Sequence, residues 1–193
     1  MKNLCIYCGA ASGASPEYSR RAAEMGAELA RRNLTLIYGG GSVGLMGVVA
    51  DAVIRSKGRV IGVIPEFLAT KELKHEGLHE TVVTRDMHER KAEMAKRADA
   101  FVAMPGGLGT FEELFEMLTW SQLGLHNKVI GLLNVNGFFD NLVRFLETAI
   151  REGFIPSNNR QLFVVESDPI KLLDKMSVHV LPGGTRWRPE DQE

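Results

Sequence analysis

The chain has 193 residues, 45% of them apolar, enough to bury the core of one large domain. Its 23 Lys and Arg nearly balance 24 Asp and Glu, leaving a formal charge of -1, so no long-range field draws the whole molecule to nucleic acid or anionic lipid and any phosphate recognition has to be local. No apolar run approaches the roughly 20 residues of a membrane helix, and the opening MKNLCIYCG lacks the basic and apolar regions of a signal peptide, so a cytoplasmic protein without membrane contact is expected.

In chain order, LCIYC reads as a buried strand. Its Cys5 and Cys8 form a CxxC, but strand positions three apart face opposite sides about 10 Å from each other, so two buried free thiols are expected rather than a redox pair. Residues 16–32 follow as a helix, with Ser15 at the N-cap and Pro16 at the first helical position. The strand TLIYG leads through a glycine turn into a helix that ends before Gly58, and RVIGVI is the next strand. Residues 66–80 make a connection longer than most, a length often spent on function. After the strand TVVT, Asp86 can cap a helix running to Ala98, and AFVAM is again a strand. Phe111, Leu114, Phe115 and Leu118 then recur at the spacing of one helical face, as do Leu142, Phe145, Leu146 and Ala149, and both stripes are expected in the core. KVIGLLN and QLFVVE complete the strands. This alternation predicts an α/β chain, a doubly wound and mostly parallel sheet with helices on both faces, as one domain over residues 1–176 with a flexible tail at 177–193.

Open α/β sheets bind ligands beyond the carboxyl ends of their strands, where two glycine-rich turns fall. Gly39-Gly40-Gly41-Ser42-Val43-Gly44 matches G-x-G-x-x-G, and Glu66 stands where a dinucleotide site would hold an acidic ribose ligand. The same glycines also suit a tight turn packed closely on the sheet. In Pro105-Gly106-Gly107-Leu108-Gly109-Thr110-Phe111-Glu112-Glu113, missing Cβ atoms let the main chain wrap a phosphate while the following helix dipole favours the dianion. Neither turn carries the Gly-Lys-Ser/Thr of a P-loop. Thr110 and Glu113 have capping-box spacing, yet a cap needs one carboxylate, leaving Glu112 or Glu113 free to face a sugar. Arg90 and Lys91 open the preceding helix at the end where cations are disfavoured unless an anion lies near; Arg90 suits phosphate or ribose and Lys91 a point charge. His75-Glu76-Gly77-Leu78-His79 spells H-E-x-x-H, but its internal glycine and lack of a third ligand point to a loop over the site rather than zinc.

With PGGLGTFEE, MHERK and YGGGSVGLMG, the chain from Leu4 to Met176 resembles the Lonely guy family of cytokinin riboside 5′-monophosphate phosphoribohydrolases, formerly labelled lysine decarboxylases. The resemblance implies a modified Rossmann fold and a homodimer with sites near the subunit interface. It also implies hydrolysis of the base–ribose bond of a cytokinin riboside monophosphate or AMP, without metal or redox cofactor. By the same resemblance, Gly106, Gly107, Leu108, Gly109, Thr110 and Phe111 surround the phosphate, with Gly107, Gly109 and Thr110 holding it. Arg90 and Glu113 carry over as the catalytic pair, and Glu72, Lys91, Glu112 and Thr119 match substrate-contact positions. Leu108 stands where plant members often have tyrosine.

Two other classes of function stay open on the residues: an NAD-dependent oxidoreductase using the first glycine turn, and a noncatalytic nucleotide or pterin carrier sharing the PGG loop. Lysine decarboxylation would need pyridoxal phosphate on a lysine that no motif identifies.

Overall fold

The computed structural model describes residues 1–69 and 74–182. Glu72 and the tail from residue 183 lie outside the described residues.

Strands form where apolar, β-branched runs can be covered on both sides. They are β1 (Asn3–Tyr7), β2 (Thr35–Tyr38), β3 (Val60–Pro65), β4 (Glu80–Thr84), β5 (Ala100–Ala103), β6 (Ile130–Leu133) and β7 (Phe163–Glu166). Every pairing between these strands is parallel, and the order across the sheet is β4-β3-β2-β1-β5-β6-β7. The helices are α1 (Pro16–Arg31), α2 (Gly44–Arg55), α3 (Met87–Arg97), α4 (Leu108–Gln122), α5 (Asp140–Arg151) and α6 (Pro169–Val178). Helix α6 thus carries regular structure two residues beyond the expected boundary at 176. This is the doubly wound α/β architecture, a Rossmann-like parallel sheet between two helical layers.

Side-chain alternation along β1 divides the core. Leu4, Ile6 and Cys8 face α1, α2 and α6, whereas Cys5 and Tyr7 face α3 and α4. The two cysteines are therefore free, buried and on opposite faces, and burial pushes both thiols well above the ordinary range. Helices α1 and α2 pack closely because Gly26 has no side chain: a Cβ there would lie 2.6 Å from the Val49 carbonyl oxygen and 2.7 Å from the Ala52 Cβ.

Local caps set the helix positions. Ser15 accepts a hydrogen bond from the Glu17 N–H at the start of α1. Asp86 accepts one from the Glu89 N–H at 2.8 Å, starting α3 one residue before His88 and so fixing which way Arg90 points. Both expected core stripes depart in part from the structure: on α4 Leu114 and Leu118 are buried but Phe115 is exposed and lines a surface groove. On α5 Leu146 is buried but Phe145 is 66% exposed, because this helix packs beside the short 3-10 turn Ser157–Leu162 instead of across the middle of the sheet.

The chain runs outward from β1 through β4 on one side and from β5 through β7 on the other. Strand order therefore reverses between β1 and β5, which opens the crevice that such sheets use for ligands. Two hydrogen bonds tie the strand exits there: Met104 N–H to the Tyr7 carbonyl at 2.9 Å and Gly9 N–H to the Pro105 carbonyl at 3.0 Å.

Candidate active site

Beyond β5 the chain turns through Pro105, Gly106 and Gly107 into α4. Gly106 admits no Cβ, because Thr110 Oγ1 occupies that space and Gly9 N lies 2.8 Å away. Cβ atoms at Gly107 and Gly109, by contrast, would meet nothing. No side chain caps α4, so its first turn presents backbone N–H groups and the positive end of the helix to open space. Gly107 is the N-cap, which places Thr110 inside the helix and buries it. The Thr110–Glu113 spacing is therefore not a capping box, and both side chains are released from that task.

Glu113 turns inward, and its side chain is 10% exposed. Its Oε1 accepts a hydrogen bond from Arg90 Nη1 at 3.2 Å. Arg90, 11% exposed, is held by a second hydrogen bond from Nε to the Val63 carbonyl at 3.1 Å, and Nη2 lies against Gly39 where a Cβ would otherwise be. Both side chains line a cavity of about 290 Å³ with Gly107, Gly109 and Thr110; Met46, Leu68 and Met94 supply its apolar wall. Desolvation pushes the Glu113 carboxyl up to about 7 against the opposing pull of Arg90. A larger cavity of about 430 Å³, walled by Tyr18, Leu45 and Phe138, lies across the Gly106–Gly107 turn, and no carboxylate or cation lines it. The chemistry therefore belongs with Glu113.

The other expected site residues among those described fall outside this cavity. Lys91 pairs with Glu112 and, at 3.1 Å, with Glu116, all away from the Arg90–Glu113 wall. Leu108 is 86% exposed, and Phe111 stacks on Phe138 with ring centroids 6.2 Å apart. Thr119 donates to the Phe115 carbonyl at 2.7 Å and lines a separate apolar groove with Phe115, Leu118, Leu146 and Ile150. Gly39, Met46, Leu68, Met94 and the Val63 carbonyl were not singled out for this cavity. The glycine run was the only sequence signal for any of them, and the purpose it serves at Gly39 is to admit a guanidinium.

The first glycine turn is not an anion cradle. Leu45 and Met46 N–H groups, which start α2, both donate to the Gly9 carbonyl, at 3.0 and 3.4 Å. The His75 N–H donates to the Gly40 carbonyl at 3.0 Å, and Glu66 lies exposed in a 3-10 turn. The dinucleotide reading thereby loses its phosphate site. The H-E-x-x-H histidines serve separate elements: His75 Nε2 lies 3.1 Å from Asp51, and His79 Nδ1 accepts from the Val60 N–H. Among the described residues no three His, Cys, Asp or Glu gather as a metal site.

The displaced Glu113 ionisation has a stability consequence. A carboxyl whose folded pKa is raised from 4.5 to about 7 stabilises the fold fully below the lower value, and that stability is lost as pH rises through the higher one. Between about pH 5 and pH 8 the wild-type unfolding free energy should fall by about 2–3 kcal/mol more than that of Glu113→Gln. Urea denaturation at both pH values measures this; parallel behaviour of the two proteins would contradict a buried, neutral-leaning carboxyl.

Comparison with known proteins identifies the family of the chain and its fold. Residues 46–176 match the family model described as "Possible lysine decarboxylase". A cytokinin riboside 5′-monophosphate phosphoribohydrolase of Arabidopsis thaliana is 46% identical over 179 residues, covering 93% of this chain and 84% of its own. A second from the same plant is 50% identical over 163 residues, covering 84% and 75%. Among solved structures, the molybdenum cofactor carrier protein of Chlamydomonas reinhardtii superposes with a TM-score of 0.70 at 21% identity, covering 91% of this chain and 96% of that one, a likeness of fold alone. At this level of identity across nearly its whole length, the chain belongs to the cytokinin riboside 5′-monophosphate phosphoribohydrolase family.

Proposed function

We propose that this protein hydrolyses the N-glycosidic bond of an adenine-type nucleoside 5′-monophosphate, a cytokinin riboside monophosphate or AMP, releasing the free base and ribose 5-phosphate. The observation that carries this reading is the placement of the Glu113 carboxyl, opposite Arg90, in the same cavity as the uncapped start of α4. The substrate's phosphate docks on the N–H groups around Gly107, Gly109 and Thr110, and this remote binding fixes the ribose beside Glu113. Water attacks the anomeric carbon while the bond to the base breaks with its electron pair leaving on the purine, which takes up a proton. Glu113 accepts the proton of the attacking water and stabilises the cationic sugar. Arg90 anchors the carboxylate and supplies charge to phosphate or ribose.

A second copy of the chain completes the assembly in this reading. Exposed Phe145 and Phe154, together with the groove that holds Thr119, offer the apolar face for a homodimer. Sedimentation of Phe145→Glu reads it: wild-type dimer and variant monomer agree, and a monomeric wild type would refute the dimer.

Incubation with AMP and with isopentenyladenosine monophosphate, followed by chromatography for free base and ribose 5-phosphate, tests the activity. Glu113→Gln should retain the fold and lose about 100-fold or more in kcat. The wild-type rate should rise as pH passes through about 7, because the base works in its ionised form. Nucleotide bound and returned intact by the wild type would sink the hydrolytic reading and leave carriage in its place.

A further inference from the structure

The cavity across the Gly106–Gly107 turn holds neither Glu113 nor Arg90, yet at about 430 Å³ it is larger than the one that does. Volumes above roughly 300 Å³ are those of small-molecule sites. Its walls are held from several sides. The Gly9 N–H donates to the Pro105 carbonyl, and the Gly9 carbonyl accepts from Leu45 and Met46 at the start of α2, so the loop after β1 is tied to two neighbouring elements. Gly13, in the left-handed region at φ +75°, lies close under Tyr18, where a Cβ would stand 2.7 Å from the ring. Phe138 meets Tyr18 edge-on, with centroids 6.0 Å apart and an interplanar angle of 81°, and is backed by Phe111 and Phe139. The pocket is therefore preformed and aromatic.

The chemistry of an occupant follows from the two ends of this pocket. On the aromatic side no carboxylate or cation lines it, and Ser12 and Tyr18 carry its only side-chain hydroxyls. A ribose or a charged group would lose its water there for few partners, whereas a flat apolar ring gains from burial. At the other end lies Gly107, the uncapped start of α4, which this cavity shares with the one holding Glu113. Among the described residues, the N–H groups of Ala10, Ala11, Ser12, Gly106 and Gly107 donate to no protein acceptor. Free donors beside the positive end of a long helix favour an anion.

We propose that this cavity is a second ligand site for an aromatic phosphomonoester, its ring against Tyr18 and Phe138 and its phosphate on the N–H groups at the start of α4, so that its occupant and the nucleotide exclude each other. The two ligands share the anion position and differ in where the organic part goes. The nucleotide extends toward Arg90 and Glu113, where ribose hydroxyls find partners. The aromatic ester extends across the turn, where none is needed. Phe111 joins the two halves of the site: it stands in the first turn of α4 and stacks on Phe138, fixing the aromatic wall to the helix that receives the phosphate. An ester bound this way brings no glycosidic bond to Glu113 and acts as a competitive inhibitor.

The shared anion position rests on the phosphate placement in the hydrolytic reading; the aromatic pocket does not. The probe is 1-naphthyl phosphate, with inorganic phosphate and ribose 5-phosphate for comparison. Each is titrated by calorimetry into wild type, Tyr18→Ala and Phe138→Leu, and 1-naphthyl phosphate is added to the AMP assay. Wild type should bind it about tenfold or more tightly than inorganic phosphate, and saturating ribose 5-phosphate should weaken that binding at least about tenfold. In the assay it should raise KM for AMP and leave kcat unchanged. Each substitution should weaken 1-naphthyl phosphate about tenfold, while the Kd for ribose 5-phosphate and kcat with AMP stay within about twofold. Phe138→Leu keeps an apolar side chain and so carries the test if Tyr18→Ala does not fold. Binding no tighter than that of inorganic phosphate, or equally tight in wild type and variants, would overturn the proposal. So would equal losses for both organic phosphates, or both bound at once. A wild type that releases no base from AMP would defeat the hydrolytic reading, while the calorimetry would still decide whether the aromatic cavity takes a ligand.

Discussion

Everything chemical in this molecule depends on one contact, the buried carboxyl of Glu113 against the guanidinium of Arg90. A carboxylate taken from water into an apolar wall is costly unless a cation or hydrogen bond meets it. Arg90 meets it here, and is itself tethered to the Val63 carbonyl at the end of β3. The pair thus connects three elements: α3, α4 and the sheet. Its setting leaves the carboxyl poised near neutrality, where a group that must take a proton from water works best.

The sheet makes that contact possible by bringing distant segments to one crevice. Strand order reverses between β1 and β5, so the exits of β1, β2 and β5 meet above the same gap. Two glycine turns enter it with opposite fates. The turn after β2 spends its helix-start N–H groups on the Gly9 carbonyl and makes room for Arg90, whereas the turn after β5 leaves its helix start uncapped. The carriers with which the chain shares its architecture at about one-fifth identity show that this frame alone does not dictate chemistry.

Much of the architecture was legible in the sequence because the central parallel strands, buried on both faces, read as unbroken apolar runs, while the half-buried edge strands β4 and β7 still read as short β-branched runs, and all seven runs correspond to strands. Caps were legible where a side chain does the capping, as at Ser15 and Asp86. Around Glu113 the sequence was ambiguous for a physical reason. Thr110 and Glu113 have the same spacing whether they cap a helix or lie within it, and what decides is that α4 starts three residues earlier, at a glycine with no side chain to cap. Gly39 was equally opaque: a glycine required by a guanidinium from another helix looks like one required by a phosphate. Phe145 shows the remaining limit, since helical spacing marks an apolar face without saying whether this chain or a second copy covers it.

The account comes down to where a nucleotide's phosphate sits. A crystal structure of Glu113→Gln soaked with AMP is the most direct measurement, because the substitution slows turnover while keeping the side chain's shape. The account requires the phosphate within hydrogen-bonding distance of the N–H groups of Gly107, Gly109 and Thr110, with the anomeric carbon beside the substituted side chain. AMP seated on the turn after β2, or in the cavity walled by Tyr18 and Phe138 with its ribose away from Arg90, would contradict it.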